Sequence, residues 1–215
     1  NRLPVGIEEI PENLELFDGT WKYFYPISNQ QRALCIAGIE IGEKNNETLY
    51  HELDLKIENI NIVTLHGQEG AGNAKDKAEI IRLKDLKNKG IDYLALGHVH
   101  TYKKDTLDSR GVYCYSGCLE GRGFDECGPH GFVLLDISME EGTVDAKFVP
   151  FAFRKQFEIP VDVSECTGTM EVEQKIRDVL EKENIEERHM VRILLKGERD
   201  CESNWNNTCC CCSHH

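Results

Sequence analysis

Two compact apolar runs, Ile60–Leu65 and Ile91–Leu96, form the clearest hydrophobic pattern in the chain. Each is short and rich in aliphatic residues, which is typical of strands buried inside a sheet. Between them, residues 75–89 place apolar side chains at intervals of three, and Gly90 supplies a stop signal, so this segment is predicted to be a helix. A strand, a helix and a strand in succession predict a βαβ unit whose two strands are parallel.

Shorter strands are predicted on both sides of this unit, separated by turn-forming residues such as Asp18-Gly19. The upstream elements are strands at Leu14–Phe17, Trp21–Tyr25 and Leu34–Ile41 and a short helix near Glu47–Lys56. The downstream strands are predicted to form an antiparallel meander of Tyr102–Leu107, Gly111–Tyr115, Phe132–Ile137 and Thr143–Phe151. Together these patterns predict an α/β protein built on a mixed sheet.

A second, smaller β-α-β unit is predicted after the meander. Residues 154–163 alternate between polar and apolar positions, residues 169–184 form an amphipathic helix, and Met190–Leu195 is a further strand. The tail, residues 199–215, has no periodicity and holds five of the ten cysteines, Cys201 and the run Cys209–Cys212. We interpret this tail as aberrant sequence, with adventitious metal binding as the alternative.

The composition is that of a folded protein without a general affinity for polyanions. Hydrophobic residues make up 40% of the chain, and the formal net charge of -13 argues against a general nucleic-acid coat. The longest apolar runs, such as Phe132–Leu135, are far shorter than the roughly 20 residues of a membrane span, so no membrane partner is expected. The cysteines outside the tail are scattered without a Cys-x-x-Cys pair, which indicates reduced thiols and a cytoplasmic protein.

Both predicted parallel strands run into histidine, at His66 and at His98. Since the carboxyl ends of parallel strands meet at one edge of a sheet, we expect these two rings to lie close together. An extended backbone would send His98 and His100 to opposite faces, whereas a turn beginning at Gly97 would let both converge. Neutral imidazole is a common ligand of first-row metals, so the pattern predicts a metal site.

These motifs resemble those of a known enzyme family. The residues LHG at 65–67 and GHVH at 97–100 resemble the last two motifs of the calcineurin-like metallophosphoesterases. The stretch Tyr115–Ile137 resembles the segment after the Gly-His-x-His motif in the SbcD-type DNA-repair exonucleases, and residues 10–17 resemble the part after the family's Asn-His motif. The resemblance implies that residues 1–153 are the C-terminal part of a metallophosphoesterase sandwich and that residues 154–198 begin an incomplete α+β capping, DNA-binding domain.

The resemblance also implies a chemistry. Family members use two divalent ions, usually Mn²⁺, to activate a water that hydrolyses DNA phosphodiester bonds. His66 and His98 would share one ion, and His100 would bind the other. The family's Asp-x-His, Gly-Asp and Asn-His motifs do not occur in this sequence, so no catalytic set is complete and the isolated chain is expected to be nearly inactive. The implied partners are DNA and an SbcC-type ABC ATPase, with a homodimer as the parent assembly.

Two further residues are candidates for substrate binding. Arg122 is predicted to meet a phosphate or to form an ordinary salt bridge, and His130 is a turn residue or a substrate contact. Glu69 and Asn73 lie in a Gly-rich loop, which we interpret as a flexible turn in preference to a substrate contact. Two other functions stay open: a related phosphoesterase acting on nucleotides or phosphoproteins, and a non-enzymatic metal-binding module.

Overall fold

The computed structural model describes residue 11, residues 14–70 and residues 80–197, and it divides the chain into two compact units. The first unit contains the described residues up to Cys118 together with Gly131–Pro150. The second contains Leu119–His130 and the described residues from Phe151 onward. The fold is mixed α/β with a mixed sheet, as the sequence patterns predict at this coarse level, but its first two helices are shorter than predicted.

A six-stranded mixed sheet forms the centre of the first unit. The elements of this unit are β1 (Lys22–Ser28), β2 (Ala33–Gly38), α1 (Leu49–Glu52), β3 (Ile60–His66), β4 (Gln68–Glu69), β5 (Ile80–Ile81), α2 (Leu83–Leu86), β6 (Tyr93–Gly97), β7 (Lys103–Thr106), β8 (Val112–Tyr115), β9 (Gly131–Ser138) and β10 (Thr143–Pro150). The strand order in the sheet is β1-β2-β3-β6-β8-β7. The four inner strands are parallel, and β1 and β7 join as antiparallel edges.

The predicted parallel pairing of the two apolar runs is confirmed. Strands β3 and β6 are hydrogen-bonded neighbours, with Leu65 opposite Leu96 and His66 opposite Gly97. Both strands therefore end at the same level of the same sheet edge. This register brings the histidine-bearing segments together before any side-chain contact is considered.

Alternate residues of the inner strands bury opposite faces of the sheet, as the strand period requires. Val63 and Leu94 belong to one apolar cluster, while Ile62 and Tyr93 belong to a second cluster. The antiparallel hairpin of β9 and β10 supplies further residues to the second cluster, including buried Ala146. The central sheet is thus covered by apolar contacts on both faces, which explains its near-continuous aliphatic strands.

Two polar residues in these runs have specific partners. Asn61 is fully buried, and its amide donates hydrogen bonds to the carbonyls of Lys56 and Gly90 at 2.9 and 2.8 Å. Asp92 accepts two hydrogen bonds from the guanidinium of Arg110, both at 2.9 Å, and a third from the backbone of Asn61. Buried polar groups are tolerated when they are hydrogen-bonded, and these bonds satisfy the amide N–H groups of Asn61 within β3, although its Oδ1 has no hydrogen-bond partner among the described residues; Asp92 lies one residue before β6.

The helix predicted over residues 75–89 is wrong where the structure describes it. Ile80–Ile81 is strand β5, which pairs with β4, and helix α2 covers only Leu83–Leu86; residues 75–79 lie outside the described residues. The hydroxyl of Tyr50 accepts a hydrogen bond from the backbone N–H of Arg82 at 3.0 Å and donates one to the carbonyl of Ile80 at 3.4 Å. These tertiary contacts hold residues 80–82 in an extended conformation in spite of the helical spacing. The preference of β-branched isoleucine for extended backbone acts in the same direction.

The strand predicted at Leu14–Phe17 is not formed in this described segment. Its backbone is used in a turn, in which the N–H of Leu14 bonds to the carbonyl of residue 11, and in a contact from Lys22 Nζ to the carbonyl of Leu16. The short helix predicted near Glu47–Lys56 is present but covers only α1. The remaining strands of the first unit lie within a few residues of their predicted bounds. The predicted meander of four strands is wrong, however, because β7 and β8 pair within the six-stranded sheet while β9 and β10 form a separate two-stranded sheet.

The second unit contains the β-α-β arrangement predicted from the sequence. Strand β11 (Gln156–Asp162) and strand β12 (Met190–Lys196) are parallel, and helix α3 (Thr169–Lys182) lies between them in the chain. Val161 and Val172 are its most deeply buried apolar residues, at 1% and 4% exposure. The cysteine-rich tail lies outside the described residues, and no helix in the described ranges is long and apolar enough to cross a membrane.

The cysteines within the described ranges are all free thiols. Cys35 and Cys114 are buried in strands of the central sheet, and burial raises the pKa of both thiols. A buried thiol with a raised pKa is chemically inert and acts as a small apolar residue.

Candidate metal centre

His66 is the last residue of β3, and the backbone around it is fixed by the next strand. The N–H of Gly67 donates a hydrogen bond to the carbonyl of Gly97 at 3.3 Å, continuing the β3–β6 pairing one residue past the histidine. The preceding residue, Leu65, is buried, whereas the His66 side chain is exposed. The strand therefore places the ring at the open carboxyl edge of the sheet, where ligands bind in parallel α/β sheets.

His98 leaves the sheet through an unusual backbone conformation. Strand β6 ends at Gly97, and His98 follows with φ +98°, a region that L residues rarely adopt. Such a conformation costs on the order of 1–3 kcal/mol and is concentrated at functional sites. Of the two arrangements that the sequence leaves open at this motif, the structure has a break in the strand at Gly97 in place of a continued extended backbone.

The rings of His66 and His98 meet at this edge. Their centroids lie 5.7 Å apart, and the ring planes are close to perpendicular, at 82°. Because a metal lies about 2.1 Å from a ligating imidazole nitrogen, two rings on one ion have centroids at most about 6.5 Å apart. The observed separation is within this limit. Two imidazoles are also a donor set that suits first-row transition metals, so both the ring separation and the donor type are compatible with a shared ion.

Gly97 makes the close approach of the two strand ends feasible. A Cβ atom at this position would lie 2.7 Å from Nδ1 of His66, closer than real Cβ contacts allow. The Nδ1 edge of the His66 ring therefore faces the Gly97 backbone, and Nε2 lies on the other side of the ring. A side chain at position 97 would displace the ring.

His100 is held by the segment after β8. Its carbonyl accepts a hydrogen bond from the backbone N–H of Cys118 at 3.0 Å and a weaker one from the Cys118 thiol at 3.6 Å. A ring nitrogen of His100 lies within 4.8 Å of the Cys118 sulfur. His100 is half-buried, and its predicted role as ligand of a second ion stays a prediction.

Residues 67–69, directly after His66, are held by contacts that have no signal in the sequence. The buried hydroxyl of Tyr115, in β8, donates a hydrogen bond to the carbonyl of Gly67 at 3.1 Å and accepts one from the N–H of Glu69 at 2.9 Å. Lys103 pairs with the carboxylate of Glu69, and this hydrogen bond is the main cause of a raised pKa for Lys103. Glu69 thus belongs to strand β4, contrary to its interpretation as a flexible turn; Asn73 lies outside the described residues.

The two predicted substrate-binding residues lie in the second unit. Arg122 is 70% exposed in its side chain, and its guanidinium lies 3.5 Å from the carboxylate of Glu126. His130 is 5% exposed, and its Nε2 lies 2.6 Å from the carbonyl of Glu126. A carbonyl can only accept, so Nε2 carries the hydrogen. A substrate contact by either residue stays a prediction.

No protein-family model matches the chain, and no curated protein matches it either. Any functional assignment therefore depends on the residues at the sheet edge and their geometry.

Proposed function

We propose that this chain carries part of the two-metal centre of a phosphodiesterase that hydrolyses DNA. In this proposal His66 and His98 hold one divalent ion, Mn²⁺, and His100 contributes to a second. The observation that carries the proposal is the approach of the His66 and His98 rings to 5.7 Å at the carboxyl ends of two neighbouring parallel strands.

The backbone of His98 supports a functional role for this contact. A pair of exposed histidines needs no strained residue, yet His98 has φ +98° next to a glycine that leaves room for the partner ring. Strain of this kind persists where the surrounding structure fixes it, and it is frequent at ligand sites. When bound, two divalent ions would activate water and neutralise the charge that develops on the phosphate. The chain's own part is to present neutral imidazole nitrogens at fixed positions.

The proposal extends to the architecture and the partners. The mixed sheet would be the C-terminal part of a metallophosphoesterase sandwich, and the β-α-β unit would begin a capping domain that contacts DNA. A cytoplasmic setting, an SbcC-type ATPase partner and a homodimeric parent protein belong to the same proposal. Since the sequence lacks the Asp-x-His, Gly-Asp and Asn-His motifs, this chain by itself is expected to show little phosphodiesterase turnover.

Metal titration of the chain tests the first step. Calorimetric titration with Mn²⁺ is expected to detect a site that His66→Ala and His98→Ala each weaken at least about tenfold, because each removes a ligand. His51→Ala is the matched control, since His51 is an exposed histidine on α1. All variants keep the cysteine-rich tail, so any metal that binds to the tail contributes equally to each titration and does not affect the comparison between variants. Equal Mn²⁺ affinities in the His66→Ala, His98→Ala and His51→Ala variants would contradict the proposed metal centre.

A phosphodiesterase assay tests the second step. With saturating Mn²⁺ and bis(p-nitrophenyl) phosphate, turnover by this chain should stay near background. Robust turnover would contradict the view that its catalytic set is incomplete. Reading the coding DNA upstream of Asn1 separates the nuclease from a non-enzymatic metal-binding module, because only the nuclease requires the three missing motifs there.

A further inference from the structure

Tyr115 combines complete burial with a hydroxyl that bonds to the segment directly after His66. Its side chain has 0% exposure, and burial raises the pKa of the hydroxyl, so this group stays protonated and can donate. It donates to the carbonyl of Gly67 and accepts from the N–H of Glu69. One hydroxyl thereby fixes the first and third residues after the histidine.

We propose that Tyr115 is a positioning residue for His66, and this inference rests on the proposed metal centre. Gly67 is held on two sides: its N–H bonds to Gly97 in β6, and its carbonyl bonds to Tyr115 in β8. The backbone directly after His66 is thus hydrogen-bonded to β6 and to β8, the next two strands of the sheet after β3. A shift of the His66–Gly67 backbone away from β6 would break one of these bonds.

An ion pair between Lys103 and Glu69 also holds this segment. Lys103 lies opposite Tyr115 in the β7–β8 pairing, and its ammonium pairs with the Glu69 carboxylate while lying 5.4 Å from the ring centroid of Tyr113. Glu69 also pairs with Ile81 through β4 and β5. Residues 67–69 are therefore held both through the Glu69 side chain and through their backbone, and the contact with Tyr115 is the one buried away from water. Groups that hydrogen-bond directly to a metal ligand commonly change metal affinity by about 10–100-fold when they are removed. Tyr115 acts on the backbone that carries the ligand, so we expect an effect at the lower end of this range.

Tyr50 provides a matched control for a purely structural role. It is also buried, at 1% exposure, and its hydroxyl likewise accepts one backbone N–H and donates to one backbone carbonyl. Those partners are Arg82 and Ile80, which do not flank a histidine. Loss of either hydroxyl removes two backbone hydrogen bonds from the same unit.

The test compares Tyr115→Phe and Tyr50→Phe in the full chain by Mn²⁺ titration and by NMR of the metal-free histidine rings. The His66 signal is assigned by its loss in His66→Gln. We expect Tyr115→Phe to weaken Mn²⁺ binding about tenfold or more and to shift or broaden the His66 ring signals. Tyr50→Phe should leave the affinity within about twofold and the His66 signals in place, although urea unfolding detects a similar loss of stability in both variants.

Equal effects of the two variants on the His66 signals and on Mn²⁺ affinity would overturn the positioning role. If the wild-type chain bound no Mn²⁺, the proposed metal centre would fail, and the metal-free NMR comparison would still decide whether Tyr115 orients the ring. A Tyr115→Phe variant whose His66 signals match wild type would overturn the inference even if the metal centre stands.

Discussion

The backbone strain at His98 predicts that glycine at this position gives a more stable protein than alanine does. A φ of +98° costs an L residue on the order of 1–3 kcal/mol, whereas glycine adopts it without a Cβ clash. Glycine also makes the unfolded chain more flexible, which costs about 0.4–1 kcal/mol. The net expectation is that His98→Gly is more stable than His98→Ala by about 1 kcal/mol, from the difference of these two effects.

The alanine variant is the reference because both substitutions remove the imidazole and its contacts, and only alanine keeps the strain. Unfolding in urea is followed through Trp21, whose indole donates to the carbonyl of Leu49 in the first unit. A Trp205→Phe background makes Trp21 the single reporter, since the sequence contains two tryptophans. In a thermal scan, a difference of this size corresponds to about 2–4 °C in Tm. Chelator is present throughout so that metal binding does not contribute.

A glycine variant that is equally stable or less stable than the alanine variant would refute the reasoning. In that case the backbone of His98 would not be strained, and its conformation would no longer support a functional role for this residue. The stabilised glycine variant should at the same time lose Mn²⁺ binding, which separates the role of the ring from the stability of the fold.

Neighbouring contacts give two more predictions. Gly97→Ala should weaken Mn²⁺ binding about tenfold because its Cβ would lie 2.7 Å from Nδ1 of His66, whereas Gly42→Ala, where a Cβ meets nothing within 4 Å, should not; equal calorimetric affinities would contradict this. Burial raises the pKa of Asp108, but backbone hydrogen bonds from Asn88, Arg110 and Gly111 outweigh it and leave the pKa lowered. A lowered folded pKa stabilises the protein above the unfolded value of about 3.9 and loses that contribution as the pH falls through the folded pKa. The urea midpoints of wild type and Asp108→Asn should therefore converge below about pH 4, and a constant difference down to about pH 2 would contradict the assignment.

Much of the sheet was predictable because its signals are local. The aliphatic runs around Ile62 and Leu94 specify buried strands, and the rule that parallel strands share an edge brings His66 and His98 together without any coordinates. Turn residues and alternation also locate the β9–β10 hairpin and the β-α-β unit to within a few residues. In these regions the local preferences and the tertiary packing agree.

The sequence-based predictions fail where contacts between residues distant in the chain determine the structure. The three-residue spacing of Ile80, Leu83 and Leu86 predicts a helix, but Ile80 is a strand residue held by Tyr50, 30 positions earlier in the chain. The bond from Tyr115 to Gly67 spans 48 positions and has no local signature, so Tyr115 could not be identified as a neighbour of His66.

The conformation of His98 also lay beyond prediction from sequence. Positive φ is expected first of glycine and asparagine, as at Gly90 and Asn88; histidine is enriched there relative to most side chains but adopts it in only a small fraction of cases, so the sequence does not predict it at His98. The sequence motif suggested a turn at Gly97 only as one of two alternatives. In the structure, β6 ends at Gly97, whose backbone lies against the His66 ring, and His98 follows with positive φ.

Pulsed EPR of Mn²⁺ bound to the chain tests the central claim most directly, because it detects nitrogen nuclei coordinated to the ion. The account predicts imidazole nitrogen couplings in the wild-type chain that decrease in His66→Gln and in His98→Gln and persist in His51→Gln. A wild-type spectrum without imidazole coupling, or couplings unchanged by the substitutions at positions 66 and 98, would show that these two rings do not form a metal site.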